Sequence, residues 1–281
     1  MKPNFSLPAN AGISLKPEYF NDVPQVIVEG LWFEVHAENY LIDGGPRLAA
    51  LEEIAARYPL SIHGVGASLA GPEPVNKRHL QRLEKLCNNL NVASFSEHLA
   101  WSTTDSHYFN NLLPIPLTQQ TFDTVVNNVM QIQDALQRTI SIENPANYIH
   151  LNSDINEAEF LMALSQKTQC SVLLDVNNLF VSAKNVGMQP HKYIDTLDLD
   201  VVSEIHIAGH STDPLQADLL IDSHDSPVAP EVWDLLQYVL QQAGPKPVLI
   251  ERDSDLPAFS ELMLERNIAA DLIQHCSMIT K

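Results

Sequence analysis

The sequence predicts a (β/α)₈ TIM barrel. Eight short apolar runs of strand character recur along the chain, helical segments lie between them, and polar residues able to hold metal ions follow strand after strand. Alternating strands and helices favour parallel βαβ units, and eight such units close into a barrel more naturally than they extend an open sheet. Single barrels of 281 residues are routine. We therefore expect one domain over residues 1–281, with residues 1–10 as a loosely held N-terminal segment.

The predicted strands are too short and too rich in apolar or β-branched residues to be helices. They cover Ala11–Leu15, Leu31–His36, Leu60–Val65, Val92–His98, Thr139–Asn144, Ser171–Asn178, Val201–His210 and Pro247–Asp253. Segments with apolar residues at helical spacing lie between them. These include Arg47–Arg57, Lys77–Leu90, Thr118–Gln137, Asn156–Gln169 and Pro230–Ala243. No GxGxxG motif opens a helix after the first strand, which argues against a dinucleotide-binding fold.

The charge of the chain excludes several kinds of partner. Its 35 acidic residues outweigh 16 lysines and arginines, for a formal net charge of −19, so we expect it to bind neither nucleic acid nor a membrane surface. The cysteines Cys87, Cys170 and Cys276 form no CxxC pair, and they favour a reducing cytoplasm. No signal-peptide pattern opens the sequence, and no apolar run reaches the roughly 20 residues of a membrane span. We expect a cytoplasmic protein.

The ionisable residues are the most informative feature, because they follow successive strands at the edge where barrel enzymes carry out chemistry. The predicted metal ligands are His63, His98, Glu143, Asp175, Asn178, His206, Asp222, His224 and Glu251. Carboxylate and imidazole ligands suit iron, manganese or zinc, and the absence of cysteine argues against a purely structural zinc site. A glutamate such as Glu143 can bridge two ions. We expect two or three bound metal ions, and the ligand types leave their identity open.

Each of these residues also has a structural interpretation. A lone strand histidine such as His63 or His98 is more often a core or rim residue than a ligand. Asp222 can cap a turn, as Asn178 can cap a helix. Buried glutamates after apolar residues, such as Glu143, are harder to explain this way, because a buried carboxylate requires a cation or hydrogen-bond donor to offset its desolvation. Each candidate that lies beside another strengthens the metal interpretation.

Motifs along nearly the whole chain resemble the DUF692 or UPF0276 family, the multinuclear non-haem iron-dependent oxidases. The motifs on strands two to seven are Glu34-Val-His-Ala-Glu-Asn-Tyr40, Tyr58-Pro-Leu-Ser-Ile-His-Gly-Val-Gly66, Ser96-Glu-His-Leu-Ala-Trp-Ser102, Glu143-Asn-Pro145, Leu173-Leu-Asp-Val-Asn-Asn178, Glu204-Ile-His-Ile-Ala-Gly-His210 and Ile221-Asp-Ser-His224. Ile250-Glu-Arg-Asp253 continues the match on the eighth strand.

This resemblance implies a barrel similar to endonuclease IV and xylose isomerase, with the nine candidates at its metal positions. It implies iron and dioxygen as reactants, cysteines of a ribosomally made precursor peptide as the substrate, and often a separate protein that delivers the peptide. Asn178 stands where the endonuclease pattern has histidine, which weakens one zinc site and favours redox chemistry over hydrolysis. Glu18 and Arg252 depart from the family's usual histidine and tryptophan, and these departures concern the substrate.

Residues beside the ligands are candidates for supporting roles. Glu34, His36 and Glu38 alternate along the second strand and can support ligands from inside the barrel. His210 and Asp253 are predicted to act in catalysis, by orienting ligands or transferring protons.

Other classes of protein stay open. A zinc or manganese phosphodiesterase of the endonuclease IV type would use its metals to activate water and clamp a phosphate. Its DNA-repair version needs a basic groove, for which 16 basic residues leave little material. A sugar isomerase is a weaker alternative, because we identify no lysine at a strand end to act in a hydride shift. A non-catalytic metal-binding barrel is the last alternative.

Overall fold

The computed structural model describes residues 6–104 and 107–279, so residues 1–5 of the predicted N-terminal segment lie outside the described residues. The strands are β1 (Ala11–Ser14), β2 (Phe33–His36), β3 (Leu60–Gly64), β4 (Ser94–His98), β5 (Trp101–Thr104), β6 (His107–Leu113), β7 (Ser141–Glu143), β8 (Ser171–Asp175), β9 (Val202–Ala208), β10 (Ser211–Thr212), β11 (Leu220–Ile221) and β12 (Val248–Glu251). The α-helices are α1 (Pro46–Ala55), α2 (Lys77–Leu90), α3 (Gln119–Leu136), α4 (Glu157–Thr168), α5 (Val176–Val186), α6 (Pro190–Thr196), α7 (Pro230–Ala243) and α8 (Phe259–Ile279).

Eight strands close into a barrel in the order β1, β12, β9, β8, β7, β4, β3, β2. Every neighbouring pair in this barrel is parallel. These strands lie within the eight runs predicted from the sequence, and the predicted (β/α)₈ barrel is confirmed. Because the strands are parallel, all their carboxyl ends meet at one mouth.

The predicted sixth strand ends three residues earlier than expected, at Asp175. The Asp175 carboxylate caps helix α5 by accepting a hydrogen bond of 2.6 Å from the backbone N–H of Asn178. A side-chain cap of this kind satisfies an amide that has no partner within the helix and fixes where the helix begins. Asn178 therefore lies on the first turn of a helix.

Small antiparallel sheets that we did not predict project beyond the barrel. Strand β5 pairs with β6 after β4, and β10 pairs with β11 after β9. The predicted seventh strand ends at Ala208 instead of His210, and the Gly209 carbonyl accepts a hydrogen bond from the backbone of His224. This bond draws the loop after β11 back over the mouth.

Apolar packing surrounds the barrel and closes its amino-terminal end. Outward-facing strand residues such as Ile62, Phe95 and Ile250 are buried beneath the helices. At the end opposite the mouth, the Trp32 indole is fully buried and donates a hydrogen bond of 3.0 Å from Nε1 to the Asn10 carbonyl. The helices of the described segments are all too short or too polar to cross a lipid bilayer.

The contact between Trp32 and Gly12 gives a test of this packing. A Cβ added at Gly12 would lie 2.4 Å from Cδ2 of Trp32, closer than atoms can approach. We predict that Gly12→Ala lowers the free energy of unfolding by about 1–3 kcal/mol, measured by urea denaturation. In a Trp32→Leu background the same substitution should cost less, because the smaller side chain leaves room. If Gly12→Ala lowers the free energy of unfolding equally in both backgrounds, the strain does not come from the contact with Trp32.

Candidate metal centre

Three predicted ligands from adjacent strands meet at one carboxylate oxygen. His63 lies at the end of β3, His98 ends β4 and Glu143 ends β7. Nε2 of His63 and Nε2 of His98 each lie 3.0 Å from Oε2 of Glu143, and the two Nε2 atoms lie 3.3 Å apart. Oε2 of Glu143 nevertheless has no hydrogen-bond partner among the described residues. Two imidazole nitrogens that crowd around an unpartnered carboxylate oxygen have the arrangement of ligands to a shared cation.

The second nitrogen of each histidine is already engaged. Nδ1 of His98 lies 3.0 Å from the Gly64 carbonyl, which only accepts hydrogen bonds, so Nδ1 carries the proton. Nδ1 of His63 lies 2.7 Å from the Ser96 hydroxyl. The Gly64 carbonyl fixes the tautomer of His98, and the partners on Nδ1 fix the orientation of both rings and leave each Nε2 to bind a metal ion.

A second group shares Glu143 with the first. Ligand atoms of Glu143, Asp175 and His206 lie within 4.8 Å of one another, and all three side chains are buried. Glu251 joins them, because its Oε2 lies 3.2 Å from Nδ1 of His206. Asp175 ends β8, His206 is on β9 and Glu251 ends β12, so three consecutive barrel strands build this group. Glu143 stands between the two groups and is positioned to bridge two ions.

The third group lies on the loop that covers the mouth. Nε2 of His224 lies 2.8 Å from Oδ1 of Asp222, and Nδ1 of His224 lies 3.5 Å from Oε2 of Glu251. Asp175, His224 and Glu251 also have ligand atoms within 4.8 Å of one another. The predicted ligands after β9 therefore reach the same mouth as the strand residues.

Asn178 reaches the cluster from the first turn of α5. Its Nδ2 donates a hydrogen bond of 2.9 Å to the Asn144 carbonyl and lies 3.3 Å from Oε1 of Glu143. Its Oδ1 is buried and has no hydrogen-bond partner among the described residues. The amide oxygen is thus the atom that Asn178 can offer to a cation.

Buried atoms without partners provide the test of whether a metal fits here. Besides Oε2 of Glu143 and Oδ1 of Asn178, the described residues leave Oδ2 of Asp175 and both ring nitrogens of His206 without hydrogen bonds. Buried polar groups are almost always paired, and leaving one unpaired costs roughly 1–3 kcal/mol. Oxygen and imidazole nitrogen are the donors that iron, manganese and zinc accept. The donor set therefore fits a group of metal ions.

The electrostatics of the carboxylates support the same conclusion. Burial raises the pKa of Asp175 well above its ordinary value, and the charges of Asp222 and Glu143 raise it further. Burial also acts to raise the pKa of Glu143, but the adjacent His98 and His63 outweigh it and lower this pKa to about 2. The pKa values of these two neighbouring acids shift in opposite directions, because the positive charge around them is too small for both to be ionised at once. A bound cation would supply that charge.

His210 is connected to the candidate ligands through Asn177. Its Nδ1 lies 2.8 Å from Oδ1 of Asn177, and Nδ2 of Asn177 donates a hydrogen bond of 2.6 Å to Oδ1 of Asp222. Because the amide oxygen accepts, His210 holds its proton on Nδ1 and its Nε2 is free to receive another. Burial lowers the pKa of His210, which keeps the ring neutral near pH 7.

Asp253 contacts the cluster directly. Its Oδ2 lies 3.5 Å from Nδ1 of His224, and its Oδ1 forms an ion pair with Lys16. Lys16 lies two residues beyond the end of β1, at the barrel mouth. Its ammonium group is held by Asp253.

The predicted supporting residues of the second strand act at different places. Nε2 of His36 lies 3.4 Å from Oε1 of Glu251, and Oε1 of Glu34 lies 3.3 Å from Nε2 of His206. Glu38 points away from these ligands and accepts hydrogen bonds from the backbone of the loop after β3. Glu204, which we did not select, is fully buried and lies 3.6 Å from Nε2 of His206.

The fold and the mouth define a xylose isomerase-like TIM barrel with candidate metal-binding groups at its carboxyl-terminal end. D-psicose 3-epimerase from Clostridium cellulolyticum H10 superposes with a TM-score of 0.63 at 12% identity, covering 95% of this chain and 99% of that chain. Endonuclease IV from Thermus thermophilus superposes with a TM-score of 0.53 at 14% identity, covering 95% of this chain and 98% of that chain. Likeness at this level of identity establishes the fold alone.

The sequence comparisons establish the family. The family model described as "RiPP precursor modification enzyme MbnB/TglH/ChrH" matches residues 10–274. A UPF0276 protein of Caulobacter vibrioides (strain NA1000 / CB15N) is 48% identical over 265 residues, which cover 94% of this chain and 95% of that protein. The chain therefore belongs to the MbnB/TglH/ChrH family of enzymes that modify ribosomally made precursor peptides, and the resemblance to UPF0276 proteins is confirmed.

The position of Glu143 between two groups makes a specific prediction. Glu143→Gln keeps the shape of the side chain but removes the charge that both groups share. We expect this variant to lose at least two metal ions per chain, measured by inductively coupled plasma mass spectrometry after dialysis. Asp222→Asn, which alters the third group only, should lose one.

Glu157→Gln is the matched control, because Glu157 is a carboxylate that Asn147 and Tyr193 hold away from the mouth. It should keep the full metal content. Full occupancy in Glu143→Gln would contradict the assignment of Glu143, provided that circular dichroism shows all variants folded.

Proposed function

We propose that this protein is a multinuclear non-haem iron-dependent oxidase that modifies cysteine residues of a ribosomally made precursor peptide with dioxygen. The observation that carries the proposal is the Glu143 carboxylate, which stands between two groups of nitrogen and oxygen donors at the mouth of a barrel whose family modifies such peptides. The nine predicted ligands stay a prediction, and their shared mouth supports it. A separate protein that delivers the peptide is part of the proposal.

The donor chemistry favours iron over zinc. Carboxylate, imidazole and amide oxygen suit iron, and no cysteine lies in any of the candidate groups of the described residues. Asn178 presents a neutral amide oxygen where a zinc hydrolase of this fold would present histidine, which makes that position a weaker ligand. Bound iron would supply the one-electron chemistry with dioxygen and would hold the substrate thiol as a thiolate.

The protein's own residues prepare the mouth for a peptide thiol. Glu143, Asp175 and Glu251 are buried inside the barrel mouth, so water has little access to the ligand atoms. Neutral His210 can take the proton that the thiol releases, because its Nε2 is free and its Nδ1 is held by Asn177. Asp253, anchored by Lys16, orients His224.

A cytoplasmic location is also proposed. The thiols of Cys87 and Cys170 are buried, and neither of them forms a disulfide. Proteins with free cysteines are typical of reducing compartments.

Metal analysis combined with peptide mass spectrometry tests the proposal. Protein purified without oxygen should contain iron as its dominant metal and should change its visible absorption when dioxygen is added. With the precursor peptide encoded beside its gene, it should change the peptide's mass at a cysteine only when dioxygen is present. Replacing that cysteine with serine in the peptide is the control. Stoichiometric zinc without iron, together with hydrolysis of a phosphodiester, would support the rival hydrolase instead.

The proposed proton acceptor can be tested separately from the metal ions. We predict that His210→Ala lowers the turnover rate by about 10²- to 10⁴-fold while the iron content stays unchanged, because Nδ1 of His210 bonds to Asn177, which is not a candidate ligand. His191→Ala is the matched control, since His191 packs on Tyr238 of helix α7. Turnover that is unaffected by His210→Ala would remove this residue from the mechanism.

A further inference from the structure

His206 lies between carboxylates on both sides, and its two nitrogens face different parts of the barrel. Nδ1 lies 3.2 Å from Oε2 of Glu251 at the mouth. Nε2 points deeper into the barrel, where it lies 3.3 Å from Oε1 of Glu34 and 3.6 Å from Oε1 of Glu204. His206 and Glu204 are fully buried, and Glu34 is 2% exposed. Water therefore cannot replace either carboxylate as the partner of Nε2.

Two serines orient the buried carboxylates. The Ser61 hydroxyl lies 2.7 Å from Oε2 of Glu34 and 3.4 Å from Oε2 of Glu204, and the Ser94 hydroxyl lies 3.3 Å from Oε2 of Glu204. A serine donates only one proton, and the short contact assigns the proton of Ser61 to Glu34. With Oε2 of Glu34 held in this way, Oε1 is turned towards His206.

The two carboxylates are not equivalent partners for His206. A separation of 3.6 Å between Nε2 and Oε1 of Glu204 is too long for a hydrogen bond, and that oxygen has no hydrogen-bond partner among the described residues. The contact of 3.3 Å to Glu34 needs only a small rotation of the ring to become one. Glu34 is therefore the carboxylate placed to accept the Nε2 proton.

We propose that Glu34, oriented by Ser61, is a positioning residue that keeps the proton of His206 on Nε2 and so presents Nδ1 to the ion beside Glu143, Asp175 and Glu251. A neutral imidazole has one proton, and a carboxylate that accepts it leaves the other nitrogen with its lone pair outward. Such a partner also stops the ring from turning about its Cβ–Cγ bond. The inference rests on the proposed metal site, and not on the proposed reaction.

A further metal ion is the competing occupant of this space. Ligand atoms of Glu34, Glu204 and His206 lie within 4.8 Å of one another. An ion there, in addition to an ion on Nδ1, would require His206 to lose its one proton and to bridge two metals, while the serine hydroxyls already donate to the carboxylates. A proton on Nε2 satisfies the same atoms with no such loss, so we assign the space to the proton.

The test compares Glu34→Gln with Glu204→Gln, because the two glutamates are neighbours, similarly buried and equal in size. The protein is stripped of metal, and the binding of Co²⁺ is followed by its visible absorption in competition with a chelator. Glu34→Gln should weaken the binding of one Co²⁺ by about 10- to 100-fold and shift its absorption band, and the other ions should bind as in the unaltered protein. Glu204→Gln should weaken that ion by less than about threefold.

Several results would overturn the proposal. One is an unchanged Co²⁺ affinity in Glu34→Gln, and another is an equal loss of Co²⁺ affinity in the two variants. The third is an additional Co²⁺ ion in the unaltered protein that Glu34→Gln removes while the remaining Co²⁺ ions keep their affinity. If Glu34→Gln fails to fold, Ser61→Ala replaces it, because it frees Glu34 without removing the charge. Ser61→Ala should weaken the same ion several-fold, and no change would again overturn the proposal. The readout is Co²⁺ affinity, so a native metal other than iron would contradict the proposed function without deciding this test.

Discussion

Carboxylates and imidazoles approach one another at the barrel mouth more closely than their hydrogen bonds explain. Oε2 of Glu143 lies 3.0 Å from both His63 and His98 and still has no hydrogen-bond partner among the described residues. Burying a charge without a partner costs several kcal/mol, so the arrangement is stable only if positive charge is supplied. The closed barrel holds the groups together, because parallel strands bring each ligand to the same edge and the strands cannot separate without breaking the sheet.

The interior of the barrel is polar below the candidate metal ligands. Many TIM barrels fill their centre with layers of branched apolar side chains. Here the layer below the mouth contains Glu34, Ser61 and Glu204 instead, and the Trp32 indole closes the far end. The apolar core lies outside the barrel, between its strands and the surrounding helices. A polar interior holds the ligand rings in defined orientations, and the cost of burying it is offset only when its groups are fully paired.

Much of this was predictable from the sequence, and the rest depended on contacts that no local pattern records. Period-two alternation places His63 and Glu143 inside the barrel, so the strand ligands could be found from position alone. The same alternation could have found Glu204, two residues before His206, but we examined only strand ends. Asn178 was placed on a strand because the capping bond from Asp175 cannot be recognised in an apolar run. Strand β6 is exposed along nearly its whole length, so it shows no strand periodicity.

Anomalous diffraction can decide whether two iron ions share Glu143. Crystals of protein purified without oxygen would be measured on both sides of the iron absorption edge. We predict two iron peaks that flank the Glu143 carboxylate, one within coordination distance of His63 and His98 and the other of Asp175, His206 and Glu251. A single peak, or iron bound away from Glu143, would show that this carboxylate is not shared by two iron ions.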